Sequence, residues 1–316
     1  MNETRHESAM VAEVLAELAV GPGGLWVDAT VDGGGHAESI LQASAPDGRL
    51  IGVDMDPSAL ELARARLGRF GERVTLVHDR FSRVDRAVGK VTADKADALL
   101  ADLGPSRHQL VCDERGFSFA SGARLDARFD RTQALTAWGV VNEYTRDELV
   151  KVLCLTGKPR QARAVADAIL RRRQDGAIET VSELAAVVRR AVGRPRRGKA
   201  DASTEWLMSI RFAVNDELAE AAEGIEAATR AVKPGGRVVI LSWDGTTHGL
   251  VRRKLRSLAR PCTCPPELPC TCGKEPVLWT REGRGRPASE AERKRNRATR
   301  TCRLFSAQIA PLPESG

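Results

Sequence analysis

The sequence has no long hydrophobic run and no apolar stretch at its N-terminus. Hydrophobic residues make up 42% of the 316 positions, but no segment approaches the ~20 consecutive apolar residues that cross a bilayer. The first residues, MNETRHESAM, also lack the apolar core of a secretory signal. We therefore expect a soluble, cytoplasmic protein with enough apolar residues for a large core and for more than one domain.

Acidic residues are scarce in two segments of this basic chain, whose formal net charge is +7. Between Arg281 and Arg303 there are nine Lys or Arg residues and three Asp or Glu residues. A second basic cluster comprises Arg189, Arg190, Arg194, Arg196, Arg197 and Lys199. Such segments can follow the phosphates of a nucleic acid, or they can be solvated and partly disordered. The sequence leaves both interpretations open.

Strand and helix patterns alternate in the first third of the chain, and no internal repeat is present. The predicted strands are residues 25–30, 49–54, 74–78 and 96–102. The predicted helices in this part are residues 8–19, a helix that follows His36 and runs through Leu41, and residues 57–70. Because such alternation requires crossover connections, it predicts a parallel sheet with helices on both faces.

The pattern changes after Leu110, where helices replace the alternation. Residues 161–173 and 181–192 have apolar positions at helical spacing. A helix over 215–232 and a strand over 237–243 then resume the strand–helix order. We predict a doubly wound α/β domain of residues 1–110 and 205–316, interrupted by a helical insertion of residues 111–204.

The first predicted strand leads into a glycine-rich turn, DATVDGGGH, that lacks the GxGxxG dinucleotide fingerprint. This argues against NAD or FAD and is compatible with a nucleoside ligand that has no pyrophosphate. Asp54, at the end of the second strand, can accept hydrogen bonds from both ribose hydroxyls. Phe81 follows the third strand and can flank an adenine. A structural tight turn and a helix N-terminal charge are the alternative roles of the glycines and of Asp54.

Ordered motifs along nearly the whole chain resemble the MraW/RsmH family. They are DATVDGGGH (28–36), GVDMDP (52–57), ADLGPSRHQL (101–110), ERGFSF (114–119), LDARFD (125–130), IRFAVNDEL (210–218), PGGRVVILS (234–242) and CTCPPELPCTCGKEP (262–276), together with His6. This family transfers a methyl group from S-adenosylmethionine (AdoMet) to the exocyclic amine of a cytosine in the decoding centre of 16S ribosomal RNA. The resemblance implies a Rossmann-like AdoMet-dependent methyltransferase with an inserted helical domain.

The implied partner is 16S rRNA in the small ribosomal subunit, with no DNA and no membrane. No oligomeric state is predicted. The inserted domain is expected to recognise RNA, and four arginines in or near it are candidates for phosphate contacts. For each of them a surface ion pair is the alternative role. They are Arg128, Arg160, Arg163 and Arg211.

The resemblance also implies which residues contact the cofactor and the reacting amine. The implied cofactor contacts are Gly34, Gly35, His36, Asp54, Phe81, Asp102 and Gln109. Asp102 and Ser106 are the candidate catalytic residues, because an acceptor for the amine N–H would localise the nitrogen lone pair. Asp102 has a second possible role, in cofactor binding alone. The target cytosine must be single-stranded or flipped out of a helix.

Several motifs depart from the family pattern, mostly on the side expected to meet RNA. Asp32 replaces the first glycine of the loop, Pro105 and Arg107 alter the segment after Asp102, and Lys158-Pro159 replaces two glutamates. The segments 201–212 and 242–249 also differ. These departures favour, as the alternative function, a divergent paralogue that binds RNA or AdoMet with a changed substrate or without catalysis.

Four of the seven cysteines form a C-x-C-x5-C-x-C pattern: Cys262, Cys264, Cys270 and Cys272. Four thiolates can hold one tetrahedral zinc ion. Structural zinc sites more often use C-x2-C pairs, however. We therefore expect a proline-rich loop with reduced cysteines and assign no metal, with a zinc site as the alternative.

Overall fold

The computed structural model describes residues 8–111, 113–117, 122–193, 203–265, 269, 271–280 and 283–311. The chain forms two compact units. The sheet unit comprises residues 1–104 and 218–316, and the helical unit comprises residues 105–217. No helix in the described ranges is both long enough and apolar enough to cross a membrane.

The sheet unit contains a mixed sheet with the strand order β3-β2-β1-β4-β5-β8-β6, and β7 pairs with β8. The strands are β1 (Leu25–Asp28), β2 (Arg49–Asp54), β3 (Val74–His78), β4 (Ala96–Leu103), β5 (Val232–Ser242), β6 (Leu278–Thr280), β7 (Arg286–Pro287) and β8 (Arg303–Ile309). Strands β1 to β5 are parallel, whereas β8 runs antiparallel to β5. The order reverses between β1 and β4, so the predicted doubly wound sheet is confirmed and this junction is its topological switch point.

Helices pack on both faces of the sheet, as the parallel topology requires. The helices of this unit are α1 (Val11–Leu18), α2 (Gly35–Ala43), α3 (Pro57–Leu67), α4 (Val84–Val91), α11 (Glu217–Ala231, whose first residue lies in the helical unit), α12 (Gly245–Ala259) and α13 (Glu290–Arg295). Alternate residues of each central strand enter two different apolar clusters, since successive side chains of a strand point to opposite faces. One cluster includes α4, α11 and α12, and the other includes α1, α2 and α3.

The helical unit packs around its own apolar core. Its helices are α5 (Arg107–Val111), α6 (Ala137–Glu143), α7 (Arg146–Leu153), α8 (Pro159–Arg173), α9 (Val181–Val192) and α10 (Thr204–Asn215). Trp206, Ile210 and Val214 of α10 are buried in this core. The sequence pattern predicts that residues 205–217 belong to the sheet domain, but these buried apolar side chains assign α10 to the helical unit.

The C-terminal basic segment is folded in the described range 283–311. Leu304 and Phe305 of β8 are buried in the two cores of the sheet unit, and Cys302 is 1% exposed. The interpretation of this segment as a partly disordered tail is therefore wrong, because alternate apolar residues in β8 complete the sheet beside β5. Residues 281–282 and most of the second basic cluster, 194–199, lie outside the described residues.

Candidate functional site

The turn after β1 favours glycine at Gly34 through its backbone conformation and leaves little space for a side chain at Gly35. Gly34 has φ of 79° and lies immediately before α2, a backbone conformation that side chains with a Cβ rarely adopt. A Cβ on Gly35 would collide with the side chain of Ser8. The chain therefore turns sharply at the carboxyl end of β1, next to the switch point, where open α/β sheets bind ligands.

His36 lies in the first turn of α2 and is 8% exposed. Its Nε2 donates to the backbone carbonyl of Ala9 at 2.8 Å. This bond ties the segment before α1 to the start of α2, so the histidine has a clear structural role. Contact between His36 and a cofactor remains a prediction.

Carboxylates gather at the carboxyl ends of β1, β2 and β4. Asp28 ends β1 and is 1% exposed, and burial raises its pKa to about 8. A backbone hydrogen bond from Thr30 lowers this pKa. Three neighbouring negative charges raise it further: Asp102, Asp54 and Asp32. The four carboxyl groups therefore lie close enough together to repel one another when ionised.

Asp54 is held at the end of β2 by two backbone N–H groups. Its Oδ2 accepts a hydrogen bond from Asp32 N at 2.8 Å, and its Oδ1 accepts one from Asp56 N at 2.9 Å. Burial raises the pKa of Asp54 to about 7, although these two backbone bonds lower it. Each carboxylate oxygen can accept a second hydrogen bond. A rigid carboxylate of this kind matches a pair of neighbouring hydroxyl groups on a ligand.

Asp102 is oriented by the side chain of Trp243. In the sequence, Trp243 stands out only as part of the segment 242–249, which departs from the family pattern. Trp243 Nε1 donates to Asp102 Oδ1 at 2.7 Å. The backbone N–H of Asp102 donates to Thr30 Oγ1 at 2.6 Å. Trp243 follows β5 directly, and β5 pairs with β4, so sheet register brings the indole to this carboxylate. Asp28, Thr30 and Trp243 are the site residues that sequence reasoning missed.

Phe81 begins a short 3-10 helix, Phe81–Arg83, after β3 and is 7% exposed. It belongs to the apolar cluster that includes α11, where a Cβ on Gly224 would collide with its ring. The Phe81 ring therefore packs on α11. The contact between Phe81 and an adenine ring remains a prediction.

Ser106 and Gln109 cap α5 reciprocally. Ser106 N donates to Gln109 Oε1 at 2.9 Å, and Gln109 N donates to Ser106 Oγ at 3.1 Å. This is the arrangement of a capping box, which satisfies two backbone N–H groups at a helix start. Both residues thus have a structural role in the helical unit, and their cofactor and catalytic roles remain predictions.

Two of the four candidate RNA-binding arginines form ion pairs. Arg128 contacts both carboxylate oxygens of Asp126, at 2.8 and 2.9 Å. Arg211 contacts both oxygens of Glu217, at 2.6 and 3.0 Å. The other two candidates, Arg160 and Arg163, are exposed on α8. The ion-pair interpretation is confirmed for Arg128 and Arg211, which leaves the two α8 arginines as the stronger candidates for phosphate contacts.

The described cysteines of the C-x-C-x5-C-x-C pattern converge. Cys262, Cys264 and Cys272 place their Sγ atoms within 4.8 Å of one another. Hydrogen bonds from the backbone of Thr271 and Cys272 lower the pKa of the Cys264 thiol to about 6. Cys270 lies outside the described residues.

The family model described as the MraW methylase family matches residues 3–310. The chain belongs to this family. It is 41% identical over 301 residues to the ribosomal RNA small subunit methyltransferase H of Symbiobacterium thermophilum, covering 95% of each chain. It is 40% identical over 305 residues to the protein of the same name from Geobacter sulfurreducens, covering 96% of this chain and 98% of the relative.

Among solved structures, an rRNA methylase from Streptococcus thermophilus aligns with this MraW methylase family member at a TM-score of 0.42 and 12% identity, covering 95% of each chain. Similarity at this level supports no inference about function. The Rossmann-like architecture of the family member rests on its own strand order and parallel register.

Proposed function

We propose that this chain is an AdoMet-dependent methyltransferase of small-subunit ribosomal RNA that methylates the exocyclic N4 amine of a cytosine in 16S rRNA. The observation that carries the proposal is the carboxylate cluster at the switch point of the sheet, made of Asp28, Asp32, Asp54 and Asp102. The names of the curated relatives, all of them ribosomal RNA small subunit methyltransferase H, support the substrate class.

The donor set of this cluster fits AdoMet. AdoMet carries a positive sulfonium and an ammonium group, together with a ribose diol and no pyrophosphate. Buried carboxylates with raised pKa values are stabilised in their charged form by a nearby cation. Asp54, held by two backbone N–H groups, retains the acceptor capacity that the two ribose hydroxyls need. The turn at Gly34 and Gly35 allows close approach of the backbone to such a ligand.

The residues of this chain contribute mainly positioning. AdoMet, when bound, supplies an activated methyl group for an in-line displacement, a reaction in which orientation provides much of the rate enhancement. Asp54 binds the ribose, and Asp102 accepts an N–H of the target amine, so that the nitrogen lone pair becomes available and the proton has an acceptor. Trp243 holds the Asp102 carboxylate in one orientation. Ser106 is proposed as a second catalytic residue, and the helical unit is proposed to bind the RNA.

Methyl transfer to small ribosomal subunits that lack the family's modification tests the proposal. Labelled AdoMet is supplied to the wild type and to Asp54→Ala and Asp102→Ala, and the modified nucleoside is identified by mass spectrometry. Incorporation at a cytosine N4 that both variants lose is the expected result. The matched control is Asp94→Ala, because Asp94 is an exposed carboxylate just before β4, at the opposite edge of the sheet.

Calorimetric titration with AdoMet separates the possible failures. AdoMet binding without methyl transfer to any small-subunit RNA would contradict the proposal and favour the non-catalytic paralogue. Transfer to another base would retain the methyltransferase and replace the substrate atom. Loss of AdoMet binding in Asp54→Ala, with binding retained in Asp94→Ala, would support the role given to the carboxylate cluster.

A further inference from the structure

The connection between α12 and β6 is unusually long for a segment without regular structure. It spans residues 260–277, and none of its described residues belongs to a helix or a strand. Its two ends are held together, because Val277 N donates to the carbonyl oxygen of Leu258 at 2.9 Å. Connections longer than about 12–15 residues with no helix or strand are uncommon in compact domains. A cross-link inside this loop would supply the order that hydrogen-bonded secondary structure does not.

The cysteines of this loop are arranged as such a cross-link. The Sγ atoms of Cys262, Cys264 and Cys272 all lie within 4.8 Å of one another, although seven residues separate Cys264 from Cys272. In a tetrahedral zinc site with bonds of about 2.3 Å, neighbouring sulfur atoms are ~3.8 Å apart. Small side-chain rotations therefore suffice to bring the three sulfurs to one metal ion.

The C-x-C spacing explains how one short loop can supply several ligands. In an extended chain, residues i and i+2 point to the same side. Cys262 and Cys264 thus present two sulfurs together, and Cys270 and Cys272 have the same spacing. Pro265, Pro266 and Pro269 lie between the two pairs and restrict the backbone there. Because the first pair already converges with Cys272, the pattern points to one shared centre.

We propose that Cys262, Cys264 and Cys272 bind one structural Zn²⁺ ion, which fixes the 260–277 connection between α12 and β6. The convergence of these three sulfur atoms favours this site over the metal-free loop expected from the spacing. The ligand set selects the metal, because converging thiolates are characteristic of zinc or iron–sulfur sites and a single structural centre suits zinc. Each of the three cysteines is half-buried or exposed, so the metal can enter from solvent.

The test uses the full-length protein purified with reductant and without chelator. We expect about one zinc per chain by elemental analysis, since structural zinc sites with thiolate ligands bind tightly. Replacement by Co²⁺ should give intense thiolate-to-cobalt charge-transfer absorption and the visible bands of a tetrahedral ion. Bound zinc should also slow modification of the cluster thiols by Ellman's reagent and protect the 260–277 loop from protease.

Variants assign the site. Cys264→Ser and Cys272→Ser should each lose most of the zinc and the charge-transfer absorption. Cys154→Ser is the matched control, because Cys154 is a free, half-buried cysteine in the helical unit and should leave both signals unchanged. If a cluster variant does not fold, the wild-type cobalt spectrum decides by itself, because its charge-transfer bands require thiolate ligands.

Three results would overturn the proposal. One is reduced wild-type protein that, supplied with zinc and dialysed, retains only traces of metal and gives no charge-transfer bands with cobalt. Another is that Cys264→Ser and Cys272→Ser retain as much zinc as the wild type. The third is a disulfide within the cluster that, once reduced, yields thiols without affinity for zinc. The experiment needs no methyltransferase activity, so its outcome is independent of the proposed function.

Discussion

Replacing Asp54 with asparagine should weaken the binding of AdoMet and at the same time relieve an electrostatic cost in the unliganded protein. Burial raises the pKa of Asp54 from 3.8 to about 7. A carboxyl group with a raised pKa binds its proton more tightly when folded, so it lowers stability as the pH rises from the unfolded pKa to the folded one. Over the two pH units from 5 to 7, the free energy of unfolding should therefore fall by about 3 kcal/mol. Asparagine does not ionise and avoids that loss.

The assay is urea unfolding of the unliganded wild type and Asp54→Asn at pH 5 and pH 8. The difference in unfolding free energy between the two proteins should shift in favour of the variant by up to about 3 kcal/mol from pH 5 to pH 8. Asp28, whose pKa is also raised, is present in both proteins, so its contribution largely cancels. Comparison at two pH values also cancels the pH-independent cost of replacing a carboxylate that accepts two backbone hydrogen bonds.

Cofactor affinity should show the opposite dependence on pH. Ribose hydroxyls donate to the ionised carboxylate, so wild-type affinity should fall by up to tenfold per pH unit below about 7. Asparagine keeps one acceptor oxygen but carries no charge, so losing one hydrogen bond to a charged group, worth ~1.5–3 kcal/mol, should weaken binding to Asp54→Asn about 10- to 100-fold at pH 8. Equal affinity of the two proteins, or a stability difference that does not change with pH, would refute the reasoning.

Three further substitutions test other contacts. Trp243→Phe removes the indole donor to Asp102 and should lower the single-turnover methyl-transfer rate about tenfold; an unchanged rate contradicts the positioning role. Gly35→Ala introduces a collision with Ser8 and should lower the free energy of unfolding in urea by about 1–3 kcal/mol. The double variant with Ser8→Gly should recover most of this stability. An unchanged stability of Gly35→Ala would contradict the close contact. Asn215→Ala leaves two buried backbone groups of the helical unit unpaired and should lower the free energy of unfolding by ~2–4 kcal/mol. A decrease below about 1 kcal/mol in the same assay would contradict the role of these two hydrogen bonds.

Much of the fold could be predicted because its elements carry strong local patterns. The strands over 49–54 and 74–78 and the helix over 181–192 lie where periodicity placed them. Strand β8 was missed, because its apolar alternation follows a basic segment and its partner β5 is distant in sequence. Helix α10 was assigned to the wrong unit, because amphipathic spacing shows that a face is buried but does not identify the core that buries it.

The candidate site was predictable where it depends on the ends of strands. Asp54 and Asp102 could be found because parallel strands bring their carboxyl ends to one edge. Trp243 could not, because its bond to Asp102 depends on the pairing of β4 with β5 across more than a hundred residues. The packing of Phe81 on Gly224 and the bond from His36 to Ala9 are likewise long-range contacts.

The sequence by itself determined the family, the order of strands and helices in the first third of the chain, and the positions of the ligand-binding turn and of the cysteine pattern. Local chemistry suffices for these, because glycine, proline and apolar periodicity act within a few residues. Tertiary structure decided which carboxylates share one site, which pKa values rise, and that cysteines eight residues apart converge. Those properties depend on burial and on distances between atoms far apart in the chain, which arise only when the sheet and its connections are formed.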